Sequence, residues 1–161
     1  MEFVIDFLTN YPLMSAGSAW VVAQILKLIT GAFKIKKFSL KEFFFGTGGM
    51  PSSHTAAVCA LMFGCCIKCG VGSVEFAVSF ILAIIVIRDA TGMRRQVGEH
   101  AKALNIIFKE IAGAKGDQKL KQEAFGELVG HTPLQVFAGL IVGAIVAVIM
   151  AFVPVFGVWV I

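Results

Sequence analysis

Four apolar stretches, separated by polar connections, set the pattern of the chain. The first runs from Leu13 to Phe33 and ends in Lys34-Ile35-Lys36-Lys37. The second begins near Ser53 and reaches about Ile67, and a short turn from Lys68 to Ser73 leads into the third, Val74 to Ile87. The last occupies about 134–160, and its 26 residues from Val136 to Ile161 carry no formal charge. Such a run is long enough to cross a bilayer with some tilt. Between the third and fourth stretches lies a polar loop, 88–131. Within it, Val97, Ala101, Leu104, Phe108 and Ile111 recur at alternating four- and three-residue steps, which predicts an amphipathic helix over Val97–Ala112. Glu99, His100, Lys102, Lys109 and Glu110 fall on its other faces. Gly113 to Glu123 reads as a polar, mobile linker, and residues 1–11, half apolar with Glu2 and Asp6, as an interfacial helix. The pattern predicts an all-α, polytopic membrane helix bundle of one domain, 1–161, with about four spans plus the amphipathic helix.

Composition agrees with that pattern. The chain is 58% hydrophobic with a mean hydropathy of +0.86, beyond the range of an ordinary soluble domain. Cys59, Cys65, Cys66 and Cys69 all fall in the second apolar stretch. Cys66 and Cys69 have CxxC spacing without a second ligand pair, so thiols lining a membrane helix are the simpler reading. Met1-Glu2-Phe3 lacks the basic start and cleavage site of a signal peptide.

Charge changes the picture by its placement. Twelve of the 14 Lys and Arg residues lie in Lys34–Lys41 and Arg88–Lys121. Four spans put both segments on one side, and the positive-inside rule makes that side cytoplasmic, with both termini outside. Aromatics interleaved with this charge, as nucleic-acid binding would require, are missing. The surrounding bilayer, anionic lipid head groups or a phosphate substrate fit the membrane context. Lys27 lies inside the first span, about two turns before its end at 1.5 Å per residue. A lysine there either snorkels to the interface or serves a buried anion.

Two short stretches carry the chemistry. Gly48-Gly49-Met50-Pro51-Ser52-Ser53-His54-Thr55 is a glycine turn followed by two hydroxyls and a histidine, with Ser52 or Ser53 as N-cap of the second span. Gly130-His131-Thr132-Pro133-Leu134-Gln135 repeats the design before the last span, with Thr132 as N-cap and Pro133 at the first helical position. The topology delivers Lys34, this glycine turn, Arg94, Arg95 and His131 to one membrane face. Phosphoryl transfer needs fixed positive charge, helix N-termini, a nucleophile and a proton donor for the leaving oxygen. Two histidines at two helix N-termini suit the last two roles.

Pro51-Ser52-Ser53-His54 resembles the P-S-G-H motif of the type 2 phosphatidic acid phosphatase superfamily, which also includes vanadium haloperoxidases. His131 to Gly139 resembles that superfamily's H-x3-D motif and its following glycine helix. Gly48–His54, Asp89–Arg95 and Gly130–Gly143, in this order, resemble its divergent branch. The resemblance implies a membrane phosphatase acting on a lipid phosphate or diphosphate through a phosphohistidine, with His131 as nucleophile and His54 as acid/base. It implies phosphate contacts from Gly49, Ser52 and Ser53, no metal or other cofactor, and vanadate as a mimic of five-coordinate phosphorus. The superfamily's K-x6-R-P motif finds Lys27 and Lys34 at its spacing, with Lys36 an equal partner. Its usual Ser-Arg before the nucleophile is Ala124-Phe125 here, so Arg94 or Arg95 would supply that cation. Four spans are few for the superfamily, which points to a homodimer.

Gln135 replaces the aspartate that orients the nucleophile in that motif. A neutral amide accepts the Nδ1–H bond but adds no charge. Thr132-x-x-Gln135 also reads as a capping box, which would take Gln135 away from His131. The second function class is therefore a non-catalytic protein that binds phosphate or anionic head groups on a degenerate phosphatase scaffold. Gly139-x3-Gly143 reads as close helix packing, within the bundle or between copies.

Overall fold

The structure, a computed structural model, describes residues 2–31, 49–115, 131–156 and 158. Among these residues every regular element is helical. Helix α1 (Glu2–Leu8) is exposed along its length. Helix α2 (Tyr11–Gly31) follows at once, because Asn10 Oδ1 accepts the Leu13 N–H at 3.2 Å and Pro12 stands in the first turn. Helix α3 (Ser53–Cys69) is capped by Ser52 and stops at Gly70, whose φ of 84° suits a residue without Cβ. Helix α4 (Val74–Thr91) is capped by Ser73, which accepts from Phe76 N at 3.1 Å. Gly92, with φ −102° and ψ −95°, breaks the chain from α4 into α5 (Met93–Lys115). Helix α6 (Pro133–Ala151) starts on a Thr132 cap, with Pro133 in the first turn as the sequence predicts.

Helices α2, α3 and α6 pack on one another, α4 lies against α3, and α5 leans chiefly on α4. The core of the three-helix contact is made of small residues: Ala19, Ala23, Ala56, Ala60 and Ala147 are fully buried. Backbones meet directly there. A Cβ built on Gly143 would stand 2.5 Å from Ala56 O, and one on Gly64 2.9 Å from Pro12 Cα. Apolar bulk points the other way, with Val78, Ile81, Ile84 and Ile85 of α4 and Ile141, Ile145, Val148 and Ile149 of α6 exposed. Small residues inside and large hydrophobics outside are the arrangement of a bundle whose solvent is lipid. Three helical stretches, Tyr11–Thr30, Val74–Glu110 and Pro133–Ala151, are long and apolar enough to cross a membrane, while Ser53–Cys69 is a shorter apolar helix held between α2 and α6.

The structure differs from the sequence reading in three places. The last helix ends at Ala151 instead of running to 160. Pro154 offers no N–H and disfavours a helical Val153, so the chain tightens into a 3-10 turn, Pro154–Phe156. That turn sets the Phe156 ring 5.9 Å from the ring of buried Tyr11, whose hydroxyl donates to Ala147 O at 2.6 Å. Helix α5 begins four residues earlier than expected and takes in Gly113 to Lys115 of the expected linker. Among its described side chains Gly98, Ala101 and Asn105 are buried, so of the expected apolar stripe Ala101 faces the bundle while Val97 and Leu104 remain exposed.

Candidate functional site

The antiparallel course of the helices brings the end of α2, the starts of α3 and α6 and the end of α4 together. Four hydrogen bonds join them. Thr30 Oγ1 donates to Met50 O at 2.7 Å, fastening the glycine turn to α2. Lys27 Nζ donates to Ser53 Oγ at 3.0 Å, so the half-buried lysine of the first span reaches the first residue of α3. Ser52 N donates to Gln135 O at 3.0 Å, joining the two histidine-bearing stretches through their backbones. His131 N donates to Ala90 O at 3.0 Å, which ties that histidine to the last turn of α4.

Each stretch is also ordered locally. Ser52 is fully buried, and its Oγ accepts from Thr55 N at 3.4 Å and from Thr55 Oγ1 at 3.0 Å. Gly49 has a φ of 93°, and a Cβ there would meet Lys27 Cγ at 3.6 Å, so the turn lies against the lysine stem. Pro51 follows a cis peptide bond and is buried. His54, the second residue of α3, is exposed.

His131 is buried, at 7% exposure, and its Nδ1 stands 3.3 Å from Gln135 Oε1. The same Oε1 accepts the Thr132 N–H at 2.9 Å, and Gln135 N donates to Thr132 Oγ1 at 3.4 Å. The donor Thr132 N–H fixes the oxygen end of the amide toward the histidine, so Nδ1 is the donor in that contact. The capping box and the histidine contact therefore coexist on one oxygen. The expectation that the box would draw Gln135 away from His131 is corrected. A carbonyl oxygen has two lone pairs, and positions 131, 132 and 135 lie within one turn.

The structure thus gathers Lys27, Gly49, Ser52, Ser53, His131 and Gln135, with His54 in the same first turn as Ser53. Arg94 and Arg95 stand in the first turn of α5, directly after Gly92, and Arg95 is exposed. Lys34 and Lys36 lie outside the described residues. Gly139 faces Ser52 O, which a Cβ would approach to 2.6 Å, and Gly143 faces Ala56 O and Ala60 N. The two glycines therefore serve packing within the bundle, one of the two readings their spacing allowed. Sequence reasoning missed Thr30 and the Ala90 carbonyl. Gln24, Lys27 and Thr30 recur at three-residue steps in an otherwise apolar span, which was a usable signal for Thr30. A main-chain acceptor such as Ala90 O leaves none.

The helix starts supply partial positive charge from their first-turn N–H groups, and Lys27 adds a full one. Hydroxyls, an imidazole with a held tautomer and a second imidazole at the adjoining helix start complete a set that suits an oxyanion ligand. No metal-binding group of three or more His, Cys, Asp or Glu side chains occurs among the described residues.

Comparison with known proteins extends this picture. No solved structure matches the chain. It is 39% identical over 155 residues to the uncharacterized membrane protein YuiD of Bacillus subtilis (strain 168), with 91% of this chain and 98% of that protein covered. The family model described as the Divergent PAP2 family matches residues 8–146, a range that holds the glycine turn, both histidines and the joint after α4. The chain is a membrane protein, and it belongs to the Divergent PAP2 family.

Proposed function

We propose that the protein is a membrane phosphatase that cleaves a lipid phosphate or diphosphate at the cytoplasmic face. The observation that carries this reading is the Ser52 N to Gln135 O bond, which draws the Pro51–His54 turn and the His131 stretch together beside Lys27. His131 Nε2 attacks phosphorus, a P–N bond forms, and the P–O bond to the lipid breaks as His54 gives its proton to the leaving oxygen. His54 then takes a proton from water, whose oxygen displaces His131 and releases phosphate. Lys27, Ser52, Ser53 and Gly49 hold the phosphate oxygens, and the first-turn N–H groups of α3 stabilise the charge that builds on them. Arg94 or Arg95, with Lys34 or Lys36, adds the remaining cation. Two copies act as a homodimer.

One observation favours a second reading. Gln135 Oε1 is shared between His131 and the Thr132 cap and brings no negative charge to the imidazole. A protein that only binds phosphate or anionic head groups needs no such charge. Purified protein in detergent, given a panel of lipid phosphates and diphosphates, separates the two. Phosphate release that is vanadate-sensitive and falls to background in both His54→Ala and His131→Ala supports the phosphatase. A gain in Gln135→Asp would measure the missing carboxylate. A flat panel in every variant, with phosphate or lipid still bound, makes the protein a head-group binder.

A further inference from the structure

Helix α5 begins one residue after the last turn of α4, at the end of the bundle that holds the candidate site. Two of its tracts have different surroundings. One is the narrow seam of Gly98, Ala101 and Asn105, which is buried. The other is formed by Met93, Val97, Leu104 and Ile107, exposed by 72%, 53%, 42% and 50%. At 100° per residue these four side chains fall within one quarter of the helix circumference, with the exposed amphipathic ring of His100 among them. Arg95, Lys102, Lys109 and Glu99 point to the opposite side and Glu110 to its edge, all exposed, with Lys102 and Glu99 paired at 3.1 Å.

A stripe of this size in water would be costly, since its side chains leave much of their apolar surface unburied. Its place in the chain says what covers it. The residues before Gly92 belong to α4, whose Ile81, Leu82, Ile84 and Ile85 face outward toward lipid. The apolar surface of α5 therefore starts where the lipid-facing surface of α4 stops, at the depth of the head groups. We propose that α5 is an in-plane helix that seats Met93, Val97, Leu104 and Ile107 in the interfacial layer of the leaflet beside the candidate site. Its charged side faces water. This inference does not depend on catalysis. Through the His131 N to Ala90 O bond, it makes the membrane surface part of what fixes the depth of His131.

The test places tryptophan on either side of α5 in vesicles of phosphatidylethanolamine and phosphatidylglycerol doped with dibrominated phosphatidylcholine. Leu104→Trp and Ile106→Trp are compared with the parent protein, because Ile106 is exposed on the charged side. An in-plane helix predicts blue-shifted added emission from Leu104→Trp, quenched by bromine roughly twofold more than that of Ile106→Trp. Equal quenching at the two positions, or water-like emission from Leu104→Trp, overturns the proposal. Blue-shifted emission without quenching, together with cross-linking of Val97→Cys between copies, overturns it in favour of a second copy on the stripe. Val97→Trp reports the same side should Leu104→Trp fail to fold.

Discussion

Gln135 serves three partners at once. Its carbonyl accepts from Ser52, its amide N–H completes the Thr132 cap, and its side-chain oxygen lies between Thr132 N and His131 Nδ1. Glutamate has the same length and is equally suited to the N3 place in a capping box. If the site is a phosphatase, Gln135→Glu keeps the cap and gives the imidazolium a counter-charge, so kcat should rise while KM changes little. Steady-state phosphate release at saturating lipid checks this. Lys27 is the other residue on which one contact decides much. Its ammonium donates to Ser53 Oγ in a half-buried setting, where a charge-assisted hydrogen bond is worth about 1.5–3 kcal/mol. Lys27→Met should weaken phosphate or vanadate binding roughly tenfold or more, read by calorimetry in detergent, with α-helix content unchanged.

At the scale of elements, α3 and α6 are parallel neighbours whose backbones touch through Gly139 and Gly143. The two glycines should fail differently. A methyl at Gly143 meets Ala56 O at 2.5 Å and Ala60 N at 2.9 Å, in the middle of both helices. Gly143→Ala should therefore lower resistance to denaturing detergent by about 1–3 kcal/mol, the usual cost of overpacking. A methyl at Gly139 meets Ser52 O at 2.6 Å, the carbonyl of the capping residue itself. Gly139→Ala should displace the phosphate turn and reduce anion binding or turnover more than it reduces stability. Activity and unfolding midpoints measured on both variants decide it. Element types were legible in the sequence because caps announce them: Ser52, Ser73 and Thr132 each stand where an apolar run begins. The termination of α6 was less so, since a charge-free run to Ile161 hides the effect of one proline at 154. The register of α5 was also hidden. Its apolar stripe meets lipid by the inference above, and its bundle seam is made of Gly98, Ala101 and the polar Asn105, which hydropathy periodicity does not mark.

Taken whole, the molecule keeps its site at one end and its exposed thiol at the other. Cys69 closes α3 at the far end from Ser53 and is exposed, whereas Cys59 and Cys65 are buried. If the basic loops are inside, a membrane-impermeant maleimide added to intact cells should label the protein, and Cys69→Ser should abolish most of the labelling. Labelling only after the membrane is opened would reverse the orientation. How much of the candidate site was legible follows from the kind of group involved. Lys27, Ser52, Ser53, His131 and Gln135 have side chains whose chemistry and spacing marked them beforehand. Thr30 and Ala90 act through contacts that only the packed bundle creates.

The hydrogen bonds Thr30–Met50, Lys27–Ser53, Ser52–Gln135 and His131–Ala90 run in sequence from α2 through α3 and α6 to α4. Together they act as a drawstring threaded through the mouth of a purse. Helices α2, α3, α4 and α6 are cinched at one rim, while at the far rim the Tyr11 hydroxyl, its ring contact with Phe156 and the apolar cluster around Ala151 join α2 to the tail of α6. When the bilayer flexes, a rim laced by these bonds should hold the His54 and His131 stretches together.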